Sequence, residues 1–305
     1  MYRRIVIAVD PEGLSGEAAP AVAAVAAADA EVLIVLVWDL SQPPARRRAG
    51  EEALEHLFGE VRAHHLRARL DRRDAPEGRV AEEIAAAARG FGADLVVIGS
   101  HRRGDLFTFF KGSVGHALAS RLSTPLMIVG IEAARPAGGR RIVVGVDGGS
   151  PSREGVAAAV SLSTPETDVT VVHVDTAVGG RSAHAPRSHP PASSPAGRWL
   201  IEEELAVFSA AGVRAHGRQV STVGGVGAAL ARVADEANAD LIVVGSTRPG
   251  HVRALLLGSV AHELIARTQR TVLLASTEQP TYVASPTSSG PGVGSERIPG
   301  RRPKM

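Results

Sequence analysis

Two segments of this chain place glycine, serine and arginine where they could hold an anion. Gly245-Ser-Thr-Arg-Pro-Gly250 follows a Val/Ile-rich run, and Gly258-Ser259-Val260 begins 13 positions after Gly245, at the start of a helical pattern. Gly99-Ser-His-Arg-Arg-Gly104 and Gly112-Ser113-Val114 repeat the arrangement with the same 13-position spacing. Glycine lets the backbone approach a bound group closely, and a helix N-terminus offers free N–H groups and the positive end of a dipole. A serine just inside that terminus adds a hydroxyl donor, and the guanidinium of Arg102 or Arg248 could make charge-assisted bonds to phosphate oxygens. Asp10 and Asp147 each close an apolar run, where a carboxylate could accept from a sugar hydroxyl. Ser150 follows Gly148-Gly149 in the second segment, whereas the first has Pro11-Glu12-Gly13, which sets a carboxylate beside the anion.

These residues come in pairs because the chain is written twice. Arg4-Ile-Val-Ile-Ala-Val-Asp10 returns as Arg141-Ile-Val-Val-Gly-Val-Asp147, and Ala93-Asp-Leu-Val-Val-Ile-Gly-Ser100 as Ala239-Asp-Leu-Ile-Val-Val-Gly-Ser246. The first pair is offset by 137 positions and the second by 146, a domain-sized repeat with an insertion in the second copy. Two similar domains in tandem follow, over residues 1–134 and 140–276, with residues 135–139 as linker.

Within each copy, Val/Ile runs alternate with Ala-rich helical stretches, the pattern of a parallel sheet covered on both faces. Strands are expected near Ile5–Val9, Val32–Val37, Ala63–Leu70, Leu95–Ile98 and Leu126–Val129. In the second copy they are expected near Ile142–Val146, Val169–Val174, Val213–Val220, Leu241–Val244 and Val272–Ala275. Right-handed crossovers make each copy a doubly wound α/β sandwich, and ligands of such sheets lie at the carboxyl ends of the strands. Pro20 falls inside the first helix, which must therefore start late enough to hold proline in its first turn.

Composition narrows the function classes. There is no cysteine, so disulfides, thiolate metal sites and cysteine nucleophiles are excluded. No apolar run is long enough to span a bilayer and no secretory signal core is present, which points to a cytoplasmic protein without a membrane partner. The pI of about 9.5 comes from the end of the chain. After Ala275, Arg297, Arg301, Arg302 and Lys304 outweigh Glu278 and Glu296 by the whole chain's net charge of +2. The remainder is formally neutral, so a basic nucleic-acid face is not expected. Residues 277–305, rich in Pro, Gly and Ser, read as a disordered basic tail, and Thr176 to Gly197 as a long loop.

The order, spacing and duplication of these motifs resemble the universal stress protein family in its tandem form. The resemblance runs through Ile142-Val-Val-Gly-Val-Asp-Gly-Gly-Ser150, Val172-His173-Val174, the Ala-Asp-Leu-Ile-Val-Val-Gly-Ser246 segment and Leu-Leu-Leu-Gly-Ser-Val260. It implies a Rossmann-like, adenine nucleotide alpha hydrolase-like fold that binds ATP or a related adenine nucleotide, with or without magnesium. Asp10 and Asp147 would then lie against the nucleoside, and Val37 and Val174 would offer backbone to adenine. Gly99, Gly112, Ser113 and Val114, and Gly245, Gly258, Ser259 and Val260, would hold ribose and phosphates, with Ser150 nearby. Nucleotide-binding members carry Gly at the middle of the motif, where this chain has Arg102 and Arg248. Arginine either reaches a phosphate or blocks the loop. The resemblance also implies that the copies pair through their last strands as an internal pseudo-dimer, with room for a homodimer beyond it.

Three function classes follow: a stress-response regulator that binds adenine nucleotide, an interaction protein of the same fold without nucleotide, and a slow ATPase. No Walker-type Gly-Lys-Ser/Thr motif and no placed general base mark the third. The sequence names no protein partner.

Overall fold

The computed structural model describes residues 1–9, 17–99, 114–130, 139–176, 194–246 and 258–276. The first half contains β1 (Tyr2–Val9), α1 (Ala18–Ala23), β2 (Ala26–Asp39), α2 (Pro44–Ala63), β3 (Arg67–Ala75), α3 (Val80–Phe91), β4 (Leu95–Gly99), α4 (Val114–Arg121) and β5 (Leu126–Val129). The second contains β6 (Arg141–Gly145), α5 (Ser150–Leu162), β7 (Asp168–Thr176), α6 (Pro195–Ala210), β8 (Arg214–Thr222), α7 (Val226–Glu236), β9 (Leu241–Gly245), α8 (Ser259–Arg267) and β10 (Thr271–Ala275).

The strands form one ten-stranded sheet in the order β3-β2-β1-β4-β5-β10-β9-β6-β7-β8. Each half is a parallel doubly wound sheet, and the halves join antiparallel through β5 and β10, Met127 opposite Leu273. The expected pseudo-dimer is therefore built on one continuous sheet, and each half's last strand covers an edge the other would leave open. Apolar side chains alternate between two faces, as the strand period requires. On one face Val6, Val96, Ile242 and Val272 meet Ile84, Leu118, Leu230 and Leu264 of α3, α4, α7 and α8. On the other, Ile7, Val97, Val171 and Leu273 meet Val22, Leu57, Val156 and Phe208 of α1, α2, α5 and α6. Both layers run through both halves. Outside the sheet, the Arg140 guanidinium bonds the Ala24 and Leu162 carbonyls, tying the start of β6 to the ends of α1 and α5.

Pro20 lies in the first turn of α1, where its missing N–H leaves no helix bond unmade, and the first bond runs from Ala21 N to Glu17 O. The third strand is displaced: it spans Arg67–Ala75 rather than Ala63–Leu70, because α2 continues to Ala63 and the chain turns at His65 with φ 61°. β3 is an outer strand with charged residues at Arg67, Arg69 and Asp71 through Asp74, so apolar content does not mark it. Its arginines pair with carboxylates, Arg72 with Glu51 and Glu55 at 2.7 Å each, which also discourages edge-to-edge pairing. The same sequence shift that takes Arg67 to Arg214, at the start of β8, takes His65 to Gly212, which has φ 70°. It also relates α2 to α6, residue by residue.

Among the described residues no helix is long and apolar enough to cross a membrane.

Candidate functional site

The carboxyl edge of the second half brings the motif residues together. β6 ends at Gly145, Val146 N donates to Val172 O at 2.9 Å, and the chain turns away through Asp147, Gly148 and Gly149 into α5. Asp147 Oδ1 accepts from Gly149 N at 2.8 Å, a local bond that fixes the carboxylate at the strand end. Gly148 has φ +80°, a region that L side chains rarely adopt, so the turn needs glycine here. Asp147 is exposed, and among the described residues its Oδ2 accepts no hydrogen bond. That oxygen is available to a hydroxyl. Ser150 is exposed in the first turn of α5.

Val174 lies where β7 outruns β6. The ladder with β6 stops at Gly145 opposite Val172, whose backbone N–H and C=O face β6. By the two-residue period, those of Val174 face the same side, past the end of β6, and have no partner among the described residues. An unpaired donor and acceptor from one residue suit the edge of a planar heterocycle.

Gly245 closes β9 beneath the first turn of α5. A Cβ there would stand 2.0 Å from Pro151 O, so no larger residue fits without moving α5. Beyond it, Gly258 caps α8, with Ser259 and Val260 in its first turn. Among the described residues no side chain caps this helix start, and no acidic residue lies in its first turn. Its leading N–H groups stay open to an anion at the edge that carries Asp147 and Val174. Arg248 falls outside the described residues.

In the first half, Val37 on β2, Gly99 at the end of β4 and Val114 at the start of α4 hold the matching places. Asp10, Arg102, Gly112 and Ser113 lie outside the described residues.

A polar network behind Asp147 and Val174 escaped the sequence reading. His173 Nδ1 lies 2.9 Å from Val146 O, and since a carbonyl only accepts, Nδ1 carries the proton. Ser194 Oγ donates to Asp175 Oδ1 at 2.6 Å while accepting from Gly197 N at 3.0 Å as the cap of α6. Gln219 Nε2 donates to Asp175 Oδ2 at 2.6 Å and to Ser194 O at 2.9 Å. The ends of β6 and β7, the start of α6 and β8 are thereby locked together next to Asp147 and Val174. Burial pushes the Asp175 carboxyl upward, but bonds from Ser194 and Gln219 and the nearby His173 outweigh it and leave it below the usual value. The first half replaces His173 and Asp175 by Leu36 and Trp38, both buried, with Arg47 over the Trp38 ring at 6.0 Å. The only sequence signal was Ser194 before Pro195, a capping pair.

Among the described residues no group of His, Asp and Glu could hold a metal ion. With a helix start open to anions, a placed carboxylate and an open strand edge, the fold defines the class of α/β proteins that take ligands at the switch point of a parallel sheet. The Universal stress protein family model matches residues 1–130 and 139–276, and the chain belongs to that family as a tandem two-domain member. A universal stress protein from Archaeoglobus fulgidus DSM 4304 has a similar structure, with TM-score 0.64 and 18% identity, over 90% of this chain and 96% of that one. A putative universal stress protein from Pseudomonas aeruginosa UCBPP-PA14 gives TM-score 0.61 and 15% identity, over 90% and 93%. A single universal stress protein solved in complex with cAMP aligns with 47% of this chain and all of its own at TM-score 0.37 and 24% identity. No curated protein matches the sequence.

Proposed function

We propose that this protein is a cytoplasmic stress-response regulator that binds an adenine nucleotide, ATP with or without magnesium, at the carboxyl edge of each half. The observation that carries this reading is the start of α8: among the described residues its N–H groups are uncapped at the edge where Asp147 Oδ2 and the Val174 backbone also have no partner. The residues fit the ligand in parts. Val174 matches the adenine edge, Asp147 the ribose hydroxyls, and Ser259 with the first N–H groups of α8 the phosphates. Val37, Gly99 and Val114, with Asp10, Gly112 and Ser113, form the corresponding set in the first half. Residues 1–134 and 140–276 are the two binding units, 135–139 the linker and 277–305 a tail outside them.

The test is mass spectrometry of small molecules released when the purified protein is denatured, together with melting in added nucleotide. Ligand at one hundred times its Kd adds about 2.7 kcal/mol to stability. Absence of any released nucleotide and of any melting shift with millimolar ATP, ADP or AMP would favour the interaction protein without nucleotide, in which Arg102 and Arg248 block the loop. Phosphate release with magnesium would identify the slow ATPase.

A further inference from the structure

α6 and α2 are equivalent helices with opposite outer faces. Trp199 and Val207 are 66% and 44% exposed on α6, and the sequence shift that relates the halves puts Glu52 and Glu60 in their places on α2. Arg198 likewise replaces Glu51, while Glu202 matches Glu55. On α2, Glu51 and Glu55 are both held by Arg72. The residue matching Arg72 is Gln219, which is turned to Asp175 instead. Arg198, Glu202 and Glu203 are exposed, and among the described residues they form no ion pair. One half thus has a solvated acidic face, and the other an exposed indole between an unpaired cation and two unpaired carboxylates.

That pattern is complementary to itself. Pro195, Ala196 and Trp199 are exposed in the first turns of α6, and the two small neighbours let another helix approach the indole. If two such helices cross antiparallel near Trp199, Arg198 of each faces Glu202 of the other, and both contacts form at once under twofold symmetry. The carboxylates also approach the N-terminal end of the opposing helix, where its dipole favours them. A parallel crossing would oppose like charges. We propose that the outer face of α6 is a self-association surface on which a second copy of this chain seats its own α6 antiparallel, Trp199 against Trp199. A contact limited to one helix face is smaller than the ~800 Å² per partner of a standard interface. The dimer is accordingly weak, forming at about 10 µM protein or above.

Sedimentation of the full chain over a range of concentrations tests this, with circular dichroism and melting to verify folding. Wild type should show a monomer–dimer equilibrium, and Trp199→Glu, which restores the residue of the first half, should weaken it at least tenfold. Arg198→Glu should weaken it similarly, and the inverted triple variant Arg198→Glu/Glu202→Arg/Glu203→Arg should recover dimerisation, because it keeps the complementarity with signs exchanged. A wild type that is monomeric at all concentrations overturns the proposal. So does a dimer indifferent to Trp199→Glu and Arg198→Glu, which would place the contact elsewhere. Failure of the triple variant to recover overturns the antiparallel charge pairing.

Discussion

Glu204 of α6 and Leu57 of α2 occupy equivalent positions in the two halves, and both are buried, at 4% and 2% exposure. Glu204 shares the inward stripe of Ile201 and Phe208, and among the described residues no hydrogen bond or ion pair satisfies its carboxylate. Burial raises its pKa, repulsion from Glu203 raises it further, and Arg153 opposes both. A raised carboxyl pKa means that the folded state holds the proton more tightly than the unfolded chain. Stability from this group is therefore full below the ordinary Glu value and declines as pH rises through the folded pKa.

Glu204→Leu should stabilise the protein at neutral pH by about 1–3 kcal/mol, since it removes an unpaired buried carboxylate and restores the first half's residue. Urea unfolding at pH 7 measures this. The gain should shrink on acidification as Glu204 takes up its proton, and a destabilised variant at pH 7 would show that the carboxylate has a partner in solution.

Asp175 gives the opposite pH signature. Its folded pKa is depressed, so its contribution is present above the ordinary Asp value and lost as pH falls through the folded one. Asp175→Ala should cost about 1.5–3 kcal/mol at neutral pH through the lost bonds from Ser194 and Gln219. Its penalty should diminish in acid, where the wild-type carboxylate is itself protonated. Denaturation profiles of both proteins between neutral pH and pH 3 provide the comparison.

Nucleotide affinity should respond more to Asp147→Ala than to Asp10→Ala. Gly148-Gly149-Ser150 leaves the second site free of acidic neighbours in that turn, whereas the first copy has Pro11-Glu12-Gly13 there, and a carboxylate next to the strand end would repel phosphate. Because both halves share one sheet and both core layers, titration calorimetry should use the full chain. Asp147→Ala is expected to weaken the tighter site about tenfold, the loss of one hydrogen bond to an ionised acceptor. A larger loss in Asp10→Ala reverses the assignment.

Arg248 separates phosphate contact from obstruction. If its guanidinium reaches phosphate, Arg248→Ala should weaken ATP binding by about 1.5–3 kcal/mol and AMP binding by less. If it blocks the loop, Arg248→Gly should strengthen binding. The expected result is weakening by Arg248→Ala, and improved ATP affinity in Arg248→Gly would contradict the clamp.

The sequence by itself determined the duplication, the alternation of buried strands and helices and the Gly258-Ser259 helix start, because these are local patterns of apolar period and backbone freedom. It also pointed to β5 and β10 as the joining strands, since the family resemblance supplied a pairing that apolar content alone leaves open. β3 was displaced because an outer strand lined with charge lacks the apolar signature of a central one. Tertiary structure alone decided the Asp175 network, whose members His173, Ser194 and Gln219 meet only when two crossovers return the chain to one sheet edge. It decided Glu204 too: a glutamate among Glu202 and Glu203 looks solvated until packing against β7 and β8 fixes which side of α6 turns inward. Local pattern chooses the elements, but which polar groups lose water depends on how those elements are stacked.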